Sequence, residues 1–306
     1  MPLPVKISVV PEIDLKPLLE SWKLHLRAER KSPETVRSYV QGVTQLIAFC
    51  EREGVEPVLD RPTVNAYIAE LLDGGAEGAT ARARQLGIRR FSAWLYDEGE
   101  IERDELLGIK PPKLDEKITE RLTDEQCVAL IAACKGKAFR DRRDEAIIRF
   151  MLEAIVRAGE VVGMTVPDTD VPRGVAIVRR GKGGKGRIVP FGPQTAVAID
   201  RYLRVRRTHR LAETPKLWLG DRGKDLGYFG LHSALKYRAE IAGIDNFHPH
   251  LTRHTAAQRW LSAGGSEGGL MAVAGWTRRD MLDRYTKASA TERAVSEARG
   301  LNLGDL

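Results

Sequence analysis

Apolar positions recur at helical spacing over most of the chain. Between about Ile13 and Leu107 the pattern predicts four or five helices. Ser32-Pro33-Glu34-Thr35 reads as a helix start, with a capping hydroxyl and a proline at the first helical position. The stripe Val36, Tyr39, Val43, Leu46, Ile47 and Cys50 follows it. A later helix, about Thr80 to Leu95, places Leu86, Phe91 and Leu95 on its apolar face and Arg82, Arg84, Arg89 and Arg90 elsewhere. The segment Gly108-Ile109-Lys110-Pro111-Pro112-Lys113-Leu114-Asp115-Glu116-Lys117 reads as a semi-extended connector. These signals divide the chain into a helical domain over 11–107, a linker over 108–118 and a second domain over 119–306.

The second domain opens on the capping-box pattern Thr123-Asp124-Glu125-Gln126. An apolar helix follows from Ala146 to Val156. Val175-Ala176-Ile177-Val178 and Ile188-Val189-Pro190-Phe191 read as two strands joined by a glycine-lysine hairpin, Gly181 to Gly186. The remainder reads as helices over Thr195–Arg210, Gly230–Ala242, Thr252–Ala263, Gly269–Ala274 and Arg279–Thr286. The fold class is therefore mainly α, with a small sheet or hairpin in the second domain.

Composition narrows the function classes. The chain has 306 residues, 42% of them hydrophobic, enough for real cores. No apolar run is long enough for a membrane span. The first residues lack a signal-peptide layout, so cytoplasmic residence is the expectation. Three cysteines, Cys50, Cys127 and Cys134, make no disulfide framework and read as core thiols. A net charge of +7 favours a polyanionic partner, without identifying one.

The candidate chemistry is an ordered set: Arg157, Lys182, His250, Arg253, Trp276 and Tyr285. Breaking a phosphodiester with a protein hydroxyl needs a nucleophile in line with the leaving oxygen. It also needs donors on the non-bridging oxygens and an acid for the leaving group. Tyr285 is the candidate nucleophile. Arg157 and Arg253 are candidate clamps, since a guanidinium holds two phosphate oxygens at once. Lys182 is a candidate acid, His250 an acid, base or phosphate donor, and Trp276 an indole donor that also packs the site. Each residue alone has a plainer reading. The tyrosine or tryptophan would be packing, the lysines a soluble turn, and Arg157 an ion pair with Glu160. His250 and His254, four apart, suggest a metal pair, but no HExxH pattern accompanies them, and no metal or other cofactor is expected.

Taken in order, the motifs resemble those of the tyrosine recombinases, the phage integrase family. Gly181-Lys182-Gly183-Gly184-Lys185-Gly186-Arg187-Ile188-Val189-Pro190 is similar to the family's hairpin with its catalytic lysine. His250-Leu251-Thr252-Arg253-His254-Thr255 matches its H-x-x-R-H-T box. Ala274-Gly275-Trp276 with Asp283-Arg284-Tyr285 matches the box that ends in the nucleophile, and Glu160 matches an acidic residue that buttresses the site. The family's usual Thr-Gly-Leu-Arg is here Ala154-Ile155-Val156-Arg157, so a glycine that eases a turn is missing.

The resemblance implies an N-terminal SAM-like core-binding domain and a C-terminal catalytic domain, without a further arm-binding domain. It implies site-specific recombination through a 3′-phosphotyrosyl intermediate and a Holliday junction, serving integration and excision of a phage or mobile element in a bacterial cytoplasm, at the nucleoid. The implied partners are double-stranded DNA core sites, a homotetramer on synapsed DNA and a directionality factor. The tail Ala290–Leu306 would dock on a neighbouring protomer. By the same analogy Ser32, Thr35, Arg37, Arg82, Arg84, Arg89, Arg90, Lys185 and Arg187 would face DNA. Two rivals remain at this stage: a type IB topoisomerase and a catalytically inactive DNA-binding regulator.

Overall fold

The computed structural model describes residues 13–114, 120–179, 186–221, 223–283 and 285–286. They fall into two compact units divided between Lys117 and Ile118. The hairpin lysines Lys182 and Lys185 and the tail Ala290–Leu306 lie outside the described residues.

Among its described residues the first unit holds four helices: α1 (Leu15–Ala28), α2 (Pro33–Glu53), α3 (Arg61–Asp73) and α4 (Gly78–Asp97). Their starts are set locally. Asp14, Ser32 and Asp60 accept from the backbone N–H groups of Lys16, Thr35 and Thr63 at 3.0, 3.2 and 2.8 Å. The core gathers Trp22, Val43, Leu46, Ile88, Phe91, Leu95 and Leu106.

Two glycines decide which face of α4 turns inward. A Cβ on Gly42 would stand 2.5 Å from the Arg84 carbonyl oxygen, and one on Gly87 2.5 Å from that of Tyr39. With the backbones of α2 and α4 touching there, Ala81, Gln85, Ile88, Phe91, Ser92 and Leu95 are buried. Leu86, expected on that face, is 38% exposed. The connector also starts later than its composition suggests. Ile109 is buried in this core, and the Lys110 carbonyl accepts from Gln85 at 3.2 Å.

In the second unit α5 (Asp124–Ala132) begins on a reciprocal cap between Thr123 and Gln126. Next come α6 (Phe139–Glu153), α7 (Ala158–Gly163) and a three-stranded antiparallel sheet, β1 (Thr169–Asp170), β2 (Val175–Val178) and β3 (Arg187–Pro190), in that spatial order. Val175 pairs with Pro190 and Val178 with Arg187. Among the described residues there follow α8 (Pro193–Arg206), α9 (Tyr228–Ile241), α10 (Pro249–Ser262) and α11 (Glu267–Ala274). Residues 280–283 and 285–286 are helical as well.

Helix α6 runs through the core with Ile147, Ile148, Phe150 and Met151 fully buried. It starts well before the expected Ala146, because its first turns bury charge rather than apolar surface. There Asp144 takes Arg143 on one oxygen and Arg238 of α9 on the other, both at 2.9 Å. It ends at Glu153, not Val156, because Ile155 turns into the left-handed region at φ 53. The three cysteines are buried, as core thiols are, with burial pushing Cys50 up to about 11 and Cys134 up to about 12.

Candidate active site

Three short segments of the second unit build the site. The first is the α6–α7 corner. Ile155, fully buried at positive φ, is strained, because a β-branched side chain rarely adopts that conformation. It stands where the family motif has its missing glycine. The turn frees the chain to start α7 at once, with Arg157 as its N-terminal flanking residue. Glu160 reaches back: one carboxylate oxygen accepts the Arg157 backbone N–H at 2.8 Å and the other its guanidinium at 2.9 Å.

The second segment is β3. Strand alternation puts Arg187 on the same face as the buried Val189. Its guanidinium donates twice to Glu160, at 2.9 and 2.8 Å, and once to the Val273 carbonyl at 2.6 Å. Its side chain is 10% exposed and that of Glu160 5%. The expected DNA-facing Arg187 is therefore corrected: this arginine is an internal strut that fixes the carboxylate holding Arg157. Burial by itself would raise the Glu160 pKa, but hydrogen bonds from Arg187 and Arg157 together with their charge hold it below the usual carboxylate value.

The third segment joins α10 to the chain after α11. Arg253 is buried and donates to the Ile155 carbonyl and, at 2.8 Å, to the Ala274 carbonyl. Burial lowers its pKa to about 10, helped by the nearby Arg157 charge, so it stays cationic at neutral pH. Gly275 then caps α11 at φ 66, where a Cβ would meet the Arg187 side chain at 3.1 Å. That turn delivers Trp276, which lies under Arg253 at 5.6 Å and stacks on Tyr285 with centroids 5.1 Å apart at 19°. The indole Nε1 of Trp276 is buried with no hydrogen-bond partner among the described residues. Tyr285 is 4% exposed.

Arg157, Glu160, Arg253, Trp276 and Tyr285 thus come together in one place. His250 lies on α10 one turn before His254, their rings meeting edge to face at 4.8 Å. Burial, then the charge of Arg253, lowers the His250 pKa, which favours a neutral imidazole at pH 7. The residue that sequence reasoning left without a role is His254: its Nδ1 is hydrogen-bonded to the Tyr285 hydroxyl. Its position four after His250 was a visible signal, but its tyrosine partner lies 31 residues away.

The arrangement favours an oxyanion. Within electrostatic reach of Arg253 lie two further guanidiniums, Arg157 and Arg187, and one carboxylate, Glu160. An anion carrying oxygens would balance that excess and satisfy the free indole N–H.

In the first unit, Ser32 spends its hydroxyl on the start of α2, bonding the Thr35 backbone and hydroxyl. Arg37 is exposed and 3.4 Å from Glu34. Arg82 and Arg90 are exposed, whereas Arg84 and Arg89 are half-buried. The Arg84 Nε is buried without a hydrogen-bond partner among the described residues.

Comparisons with known proteins identify the family. The phage integrase family matches residues 120–292, and the N-terminal SAM-like domain of phage integrases matches residues 19–99. The tyrosine recombinase XerC of Azotobacter vinelandii is 30% identical over 253 residues, covering 80% of this chain and 82% of that protein. The XerC of Corynebacterium glutamicum is 29% identical over 265 residues, 85% and 83% of the two chains. Among solved structures, a Tn1549 transposon integrase in complex with transposon right end DNA superposes with a TM-score of 0.71 at 16% identity, over 93% of this chain and 99% of that one. The chain belongs to the phage integrase family and is a site-specific DNA recombinase of the tyrosine class.

Proposed function

We propose that this recombinase cuts and rejoins duplex DNA at short core sites, with Tyr285 as nucleophile. Tyr285 attacks the scissile phosphorus and forms a 3′-phosphotyrosyl bond. Arg157, Arg253 and the Trp276 indole N–H hold the non-bridging oxygens, and Lys182 protonates the departing 5′-oxygen. The freed 5′-hydroxyl then attacks the partner strand, giving a Holliday junction that a second round resolves. Bond energy is kept in the phosphotyrosine, so the chemistry as written consumes no nucleotide. The observation that carries this reading is the buried Arg253–Trp276–Tyr285 stack, with an indole donor that has no partner among the described residues and a surplus of guanidinium charge.

Four protomers would act on two synapsed sites; a lambda integrase tetramer bound to a Holliday junction has a related fold, with a TM-score of 0.66 at 14% identity. The N-terminal helical unit would contact the DNA, with Arg82 and Arg90 its exposed arginines on α4. Affinity would be mostly phosphate-driven and fall steeply with salt. The biological setting we favour is integration and excision of a phage or mobile element in a bacterial cytoplasm, where a directionality factor would choose between the two. A second reading, resolution of chromosome dimers, is favoured by the XerC relatives, which the chain matches over most of their length.

Covalent trapping tests the proposal. The protein is incubated with nicked or 5′-phosphorothiolate DNA from its own genomic neighbourhood, without added metal, and run on a denaturing gel. An adduct with wild-type protein and none with Tyr285→Phe is expected, and a site at an element boundary would favour integration over dimer resolution. Adduct formation by Tyr285→Phe would overturn the nucleophile, and relaxation of any supercoiled plasmid without a defined site would make the protein a topoisomerase.

A further inference from the structure

The steps above give no role to His254, which touches the nucleophile itself. Its Nδ1 is hydrogen-bonded to the Tyr285 oxygen, and the two rings lie 5.6 Å apart at 38°. The hydroxyl that must lose a proton is thus already joined to a nitrogen that can take one. A phenol ordinarily ionises near pH 10, leaving only about 0.1% phenolate at neutral pH, whereas an imidazole with a pKa of about 6.5 is mostly neutral there. A general base must sit within hydrogen-bond reach of the proton it removes, and His254 does.

We propose that His254 is the general base for Tyr285. With its own proton on Nε2, the His254 ring accepts the Tyr285 hydroxyl proton on Nδ1. The freed oxygen pair forms the bond to phosphorus. The bond from phosphorus to the 5′-oxygen breaks, and that oxygen keeps the pair and is protonated by the acid of the reaction, Lys182. Rejoining runs the same path backward: the 5′-hydroxyl attacks, Tyr285 leaves, and the His254 imidazolium returns the proton to it. His250 is left as a neutral donor beside the phosphate, one turn away on the same helix.

Neighbouring elements support the assignment. The Trp276 indole stacked on the tyrosine ring limits how far that ring can tilt. Arg253, next in sequence to His254, is held by two backbone carbonyls, which fixes this turn of α10. A hydroxyl swinging toward a phosphate between Arg157 and Arg253 would therefore pivot about a hydrogen bond that already exists.

The inference rests on Tyr285 being the nucleophile, and the experiment separates the two. Single-turnover adduct formation is measured on a normal core site and on one with a 5′-bridging sulfur, a leaving group that needs no proton. His254→Asn, which keeps the shape of the side chain, and His254→Ala are expected to slow both reactions by about 10²-fold or more. Lys182→Ala is expected to slow only the oxygen substrate. Replacing Tyr285 with a fluorinated tyrosine, whose phenol is more acidic, is expected to restore at least tenfold of the His254→Asn loss, a response that a merely structural histidine would not give. His254→Asn cleaving within threefold of wild type while Tyr285→Phe is inactive overturns the base and leaves the nucleophile standing. Loss of DNA binding in both histidine variants, or no gain from the fluorinated tyrosine, also overturns it. An adduct from Tyr285→Phe would instead sink the nucleophile reading itself.

Discussion

Glu160→Gln is the substitution that most directly probes how the site is held. The carboxylate takes two guanidinium bonds from Arg187 and one from Arg157, besides the Arg157 backbone N–H. Arg187 is nearly buried, so neutralising its partner strands a charge away from water. Breaking such a pair costs about 3–5 kcal/mol. The Arg157 bonds contribute at most about 1 kcal/mol more, since that side chain is 27% exposed. Gln belongs at the lower end, because its amide oxygen still accepts one bond, and Ala at the upper end. In a unit of this size each kcal/mol shifts the melting temperature by about 2–4 °C, so a loss of about 6–24 °C is expected. The assay is a urea series read by hydrogen exchange in peptides from α6, α7 and α10, which isolates this unit from the helical one. Adding Arg187→Met removes the stranded charge and should recover most of the loss without restoring strand cleavage, because Arg157 still lacks its carboxylate. A cost below about 1 kcal/mol for Glu160→Gln, or a double variant as unstable as the sum of the singles, would refute the account.

Trp276→Phe keeps the stack on Tyr285 and removes an N–H that has no hydrogen-bond partner among the described residues. Stability should change by less than about 1 kcal/mol while single-turnover cleavage falls about 10²-fold; wild-type cleavage would deny the indole any role. His250 has a depressed pKa in the fold, so the unfolded chain binds the extra proton first. Stability should then be flat above about pH 6.5 and fall as pH drops below it, and His250→Gln should flatten that slope; an unchanged slope in chemical denaturation would rule this out. At Ile155, glycine relieves roughly 1–2 kcal/mol of left-handed strain but loses the buried side chain. Ile155→Gly should therefore be no less stable than Ile155→Ala, whereas at an ordinary helical position glycine is worse by about 1 kcal/mol. A glycine variant clearly below the alanine one would mean that the backbone is unstrained.

What could be read from the chain alone was whatever neighbouring residues decide among themselves. Ser32 with Pro33, and Thr123 with Gln126, announce their helices because the capping bonds close within three residues. The Arg157–Glu160 pair is legible for the same reason. The buried face of α4 was misread at Leu86 because Gly42, on another helix, sets how α2 and α4 meet. The start of α6 was hidden because Asp144 accepts from Arg143 beside it and from Arg238, 94 residues away on α9, and such charges leave no apolar stripe. Strand β1, two residues long, is too short to show a period. Arg187 could have been placed by counting alternate residues back from Val189, but nothing local names its partner Glu160. The six candidate catalytic residues were legible only as an ordered set of motifs, and of these Lys182 lies outside the described residues.

The anchoring of Arg253 has a consequence for how this site tolerates change. Its two acceptors are main-chain oxygens, those of Ile155 just past α6 and Ala274 at the end of α11. Helix ends carry carbonyls that lack intrahelical partners, whatever side chains stand there. Replacing either residue leaves the oxygen in place so long as the chain path survives. The clamp is thus insulated from sequence drift in its surroundings in a way that a side-chain ion pair such as Glu160–Arg187 is not. An engineer altering DNA specificity in this scaffold could vary positions 155 and 274 with the backbone still supplying the acceptors, but would have to move 160 and 187 together.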